Sequence, residues 1–163
     1  MIVIVIVGVV YTLAVSKIHQ VTEQKTGSNF ANLKEYLHSF LQEDAKEAKL
    51  LCLDDCSECS VYVDGVKKKS FESFFDSSVE VYRYDFLQGT QSVEPPALFD
   101  EKGVQERVCF TLSVDRDFVA DQVIVVYKDS VYDFTTYFTQ TPVYDSLSAF
   151  VDAKEAQVQE VLQ

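Results

Sequence analysis

The sequence predicts an α+β fold, in which a long N-terminal helix lies on an antiparallel β-sheet and a C-terminal helix closes the chain. Three observations predict it. From Phe30 the apolar residues Phe30, Leu33, Leu37, Phe40, Leu41, Ala45 and Ala48 form a helical stripe, with Lys34, Glu35, Gln42, Glu43 and Lys46 on the other side. Residues 107–114 alternate, with Val108, Phe110, Leu112 and Val114 on one face and Cys109, Thr111 and Ser113 on the other. Near the C-terminus, Lys128-Asp129-Ser130 separates two strand-like runs and marks a hairpin. A chain of 163 residues supports one domain with appendages, and 12 Phe and 9 Tyr are enough to build its core.

The first element is Met1 to Val15, a run without charge that Lys17 closes. At 1.5 Å per residue it covers about 22 Å as a helix, less than the roughly 30 Å of a bilayer core. A buried parallel strand would suit the Ile-Val repetition, but Gly8 stands alone and no GxGxxG follows. A cleaved signal peptide finds a small-residue site in Ala14-Val15-Ser16 and lacks the basic n-region. An edge strand of this composition would invite aggregation. The preferred expectation is a membrane anchor over residues 1–16.

The stretch Met1-Ile2-Val3-Ile4-Val5-Ile6-Val7-Gly8-Val9-Val10 resembles the hydrophobic N-terminal helix of type IV pilins and type II secretion pseudopilins. The resemblance covers residues 1 to about 20 and extends loosely to the overall layout. It implies that Met1 lies inside the family's segment, with about six residues upstream that would bring the run to roughly the 21 a bilayer requires. The chain as given lacks the family's acidic residue and peptidase site. The resemblance further implies a pilin-like fold and assembly through Ile2, Ile4, Ile6, Val7, Gly8, Val10 and Leu13, packed against the same helix of other pilin or pseudopilin subunits. It implies a minor pilin or pseudopilin, held in the inner membrane by one pass with its C-terminal domain in the periplasm and incorporated into a filament.

Beyond the anchor, residues 17–49 are expected to form a helical neck and the amphipathic helix, with Gly27-Ser28-Asn29 interrupting and capping between them. Residues 50–163 are expected to form a soluble α+β head. Within it, residues 50–53 and 60–63 flank a cysteine loop as a small hairpin. Residues 79–86 alternate imperfectly. Residues 107–114, 122–127 and 131–138 make three successive strands and imply a meander, with Tyr132, Phe134, Tyr137 and Phe138 expected to fill the core. Residues 88–103, with Gly89, Pro95, Pro96 and Gly103, read as loop. Asp145 or Ser146 can cap a final helix whose apolar positions are Leu147, Phe150, Val151, Val158, Val161 and Leu162.

The chemistry is concentrated at Cys52, Cys56, Cys59 and Cys109. The spacing C-x3-C-x2-C matches the cluster motif of radical-SAM enzymes, but the barrel they need exceeds this length. A four-thiolate zinc site lacks a second paired C-x2-C beside Cys109, and a redox pair at Cys56 and Cys59 lacks its strand-helix setting. Two structural disulfides in an oxidising compartment are the preferred reading. Three pairings are open, and Cys52–Cys59 across the hairpin is favoured.

Acidic groups at Asp115, Asp117 and Asp121, and at Asp54, Asp55 and Glu58, read as solvated turns rather than calcium loops, since neither has the tightening glycine. His19, His38 and the serines assemble no nucleophile motif, so no enzyme, cofactor or small-molecule substrate is expected. The net charge of −12 repels phosphate and so excludes nucleic acid as a partner, and it gives no grip on anionic lipid. The competing reading is a membrane-anchored periplasmic binding or envelope module that does not polymerise.

Overall fold

In a computed structural model of the chain, which describes residues 29–42, 44–99 and 102–161, the side chain of Asn29 accepts from Ala31 N and caps a 3-10 turn, Phe30–Asn32. Helix α1 (Leu33–His38) continues from it and buries Leu33, Lys34 and Leu37. Ser39 ends the helix, its hydroxyl donating back to the Tyr36 carbonyl. The chain then enters strand β1 (Glu47–Leu53).

The expected long helix is therefore corrected. The helical stripe holds only through Leu37, and from Ala48 the buried positions are Ala48, Leu50 and Cys52, the two-residue period of a strand. Ala48 fits both periods, which is why the sequence reads through the break. Helix-forming Glu47-Ala48-Lys49 adopts strand geometry because β1 is paired on both sides, where ladder hydrogen bonds and burial outweigh local propensity. Strand makes up 40% of the structure against 18% helix, and neither helix is long. The anchor over residues 1–16, with Ile2, Ile4, Ile6, Val7, Gly8, Val10 and Leu13, lies outside the described residues. Among the described residues no helix is long and apolar enough to cross a membrane, so the single-pass inner-membrane placement is also corrected.

The strands form two antiparallel sheets. The first has the order β3-β2-β1-β8, with β2 (Glu58–Val63), β3 (Val66–Phe71) and β8 (Val108–Asp115). The second has the order β11-β10-β9-β4-β5, with β4 (Glu80–Asp85), β5 (Gly89–Ser92), β9 (Ile124–Tyr127), β10 (Ser130–Asp133) and β11 (Val143–Tyr144). A short ladder joins β6 (Leu98–Phe99) to β7 (Gln105–Glu106). The expected meander is thus split, since β8 pairs with β1 in one sheet while β9 and β10 pair in the other. β3 runs through the exposed Lys67, Lys68 and Lys69. The turn before it is Asp64-Gly65, with φ of 47° and 80°, and the Asp64 carboxylate accepts from the amides of Lys46 and Glu47. Positive φ at both central residues matches the twist of a two-residue hairpin.

Between the sheets lies an aromatic core centred on Phe30. Its ring stacks on Phe75 at 4.0 Å and meets Phe110 of β8 edge-on at 5.4 Å and Tyr127 of β9 at 5.2 Å. Full burial of such a ring contributes about 2–3 kcal/mol. The far side of the second sheet is covered by helix α2 (Leu147–Val161), whose Phe150 packs with Ile124 and Val131. Ser146 caps α2, its hydroxyl accepting from Ala149 N.

The strand expected over residues 131–138 stops at Asp133. The Asp133 carboxylate accepts from the amide and hydroxyl of Thr135 and turns the chain there. Phe134 remains fully buried, but Tyr137 and Phe138 are 71% and 76% exposed, a correction to their expected place in the core.

Candidate functional site

Cys52 and Cys59 face each other across β1 and β2 and form one disulfide, while Cys56, in the intervening turn, is bonded to Cys109 of β8. All four sulfurs are thereby used, and β8 is fastened to the hairpin beside it. Among the described residues, no group of three or more His, Cys, Asp and Glu is placed to hold a metal ion. The acidic turns have other work. Asp115 Oδ1 accepts from Asp117 N and Val119 N at 2.9 Å each, and Asp121 Oδ2 accepts from Ser113 N at 2.8 Å.

Among the described residues β8 is the last strand of its sheet, and the side away from β1 opens on a groove of about 610 Å³. Val81 and Arg83 of β4, the segment Val93–Pro96, Phe110 and Thr111 of β8, and residues 121–123 form its walls. Ser113 turns both backbone groups to this side, its carbonyl accepting from Asp121 N at 3.1 Å as well as its amide binding the Asp121 carboxylate. Two residues back, Thr111 turns its amide and carbonyl the same way by strand periodicity. There, among the described residues, they meet no backbone partner. Pro95 and Pro96 have no N–H with which to close the wall onto β8. A second, smaller cavity of about 280 Å³ shares Pro96 and Thr111 with the groove and carries it toward the outer face of the sheet.

A buried polar network lies elsewhere in the fold. Lys34 is fully buried, and its Nζ donates to the carbonyls of Thr136 at 2.9 Å and Phe138 at 2.7 Å, clamping the loop that exposes Tyr137 and Phe138. Asp133, also fully buried, forms an ion pair with Lys154 of α2 at 2.8 Å. Burial pushes the Lys34 pKa below its ordinary 10.5, against the pull of the carboxylates of Asp133 and Asp115. Burial, and to a lesser degree Asp133, raises the Tyr144 phenol above 10.0.

These directions set a pH dependence. Just below pH 10.5 the unfolded chain holds the Lys34 proton more firmly than the folded one, so stability from this group rises with pH. Tyr144 acts oppositely, and only above pH 10.0, where the folded phenol keeps a proton that the unfolded one loses. Urea midpoints compared at about pH 7 and about pH 9.5 should show this rise in the parent relative to Lys34→Met. Equal pH slopes in the two proteins would contradict the assignment.

The structure thus joins the four sequence-predicted cysteines in pairs, whereas the expected assembly residues lie outside the described residues. Sequence reading missed Thr111 as an open edge position and Arg83, Val93, Pro95 and Pro96 as walls. Its one local signal was the Pro-Pro pair, which predicts a segment unable to join a ladder. Comparison with protein-family models, curated proteins and solved structures finds no match to this chain.

Proposed function

We propose that this domain is a binding module that works in an oxidising compartment and holds another polypeptide, without catalysing a reaction. The observation that carries the proposal is the open stretch of β8 inside an apolar-walled groove. Two disulfides support the compartment, because such bonds persist where thiols are not kept reduced. They also fix β8 before any partner arrives, and a preorganised surface loses less entropy on binding. The titratable groups with shifted pKa do not converge in the groove. Lys34 clamps a loop, and Tyr144 sits beside Asp133 under α2. Nothing among the described residues bears on the pilin resemblance, which rests on residues 1 to about 20.

The test is site-specific photocrosslinking in cells producing the full chain. A crosslinker at Gln122, on the exposed rim of the groove, should yield a discrete protein adduct, whereas one at Glu155 on α2 should not. No adduct at Gln122, or the same adduct at both positions, would sink the reading.

A further inference from the structure

The chain already shows how the free side of β8 can be filled. Its own residues 119–121 run antiparallel along the end of the strand, through the bridge Val114↔Ala120 and the bonds of Asp115 N to Val119 O and Asp121 N to Ser113 O. At Gln122 this segment turns away toward β9. At the other end, β7 leaves to pair with β6. Between them, Val108 to Leu112 has no strand beside it on that side among the described residues, about 17 Å of strand at roughly 3.4 Å per residue.

We infer that an extended, basic segment of a partner polypeptide adds to β8 as a strand, continuing the line that residues 119–121 begin; this deepens the binding reading above and rests on it. The backbone argument is one of complementarity. The outward amide and carbonyl of Thr111 require a donor and an acceptor, which any extended peptide supplies in either direction. Alternate side chains of the added strand would meet Val81, Val93 and Val123, an apolar wall that selects aliphatic residues at every second position.

Charge selects the other positions. The rim carries the carboxylates of Glu94 and Asp121 against the single guanidinium of Arg83, within a chain of net charge −12. A basic segment is therefore drawn in at long range and met at the rim, whereas an acidic one is repelled. Arg83 provides one site for a carboxylate on the segment or at its end.

The experiment uses the full chain and two acetylated seven-residue peptides, one alternating lysine with valine and the other glutamate with valine. The lysine peptide should bind saturably, weaken as salt rises and slow amide exchange at Thr111. The glutamate peptide should bind at least roughly tenfold more weakly. Because Thr111→Pro, which deletes the donor, could unfold the sheet, Glu94→Lys at the exposed rim serves as the second variant. It should weaken the lysine peptide with the fold intact. Equal binding of the two peptides, protection away from Thr111, or protection that depends only on protein concentration would overturn the inference, the last because a second copy would then occupy the edge. Should these fail while the Gln122 crosslink persists, strand addition falls and the binding reading stands. Loss of both removes the binding reading as well.

Discussion

Replacing Cys56 and Cys109 together by serine is expected to lower unfolding free energy by about 4 kcal/mol, the larger of the two disulfide effects. This bond spans 53 residues, against 7 for Cys52–Cys59. Closing the longer loop restricts the unfolded chain more, and the same relation gives about 2.5 kcal/mol for the shorter one. The two pairs also differ in what they hold. Cys52 and Cys59 staple strands already joined by a tight turn and a ladder, whereas Cys56–Cys109 joins segments that only tertiary structure brings together. Urea denaturation of the two double-serine variants checks the order. A greater loss on removing Cys52–Cys59 would show that loop closure does not govern these bonds.

Asp133→Asn is expected to cost about 3–5 kcal/mol, the range for taking one partner from a buried ion pair. Its carboxylate is fully buried and is the ion-pair partner of Lys154, itself largely buried against Phe150. Asparagine can still accept from Thr135, so the chain reversal after β10 survives and the loss reports on charge. Without that charge, Lys154 is left uncompensated and Lys34 loses the stronger of the two carboxylates that attract it. Adding Lys154→Met should recover part of the loss, because the uncompensated ammonium is gone. A double-mutant cycle in urea measures the coupling. A coupling near zero would show that the pair contributes nothing beyond its separate parts.

Much of the second half of the fold was legible in the sequence. The burial of Val108, Phe110, Leu112 and Val114 follows their alternation, the turn at Lys128-Asp129 links β9 to β10, and Ser146 starts α2. These are local signals, carried by the residues that respond to them. The first half was not legible for the same reason. Glu47 to Lys49 is helical in propensity, and only pairing with β2 and with β8, some sixty residues later in sequence, makes it a strand. β3 exposes nearly every side chain and so has no alternation to read. β5 and β6 hide in a stretch whose glycine and prolines announce a loop. The groove lay furthest from view, since its walls come from four segments and its key groups belong to the backbone of Thr111, which composition does not report. The disulfides stood between these cases. The sulfurs were conspicuous, and the cross-strand geometry of Cys52 and Cys59 singles out their pairing once the hairpin is known.

The triple lysine of β3 has a bearing on stoichiometry. Lys67, Lys68 and Lys69 lie along the opposite border of the sheet from β8, and crowded ammonium groups make a poor template for another chain. One flank is thus fenced and the other hospitable. Ribbons built by stacking copies flank to flank would need both, so the strand addition proposed at β8 would stop after one guest and predicts a ratio of one to one.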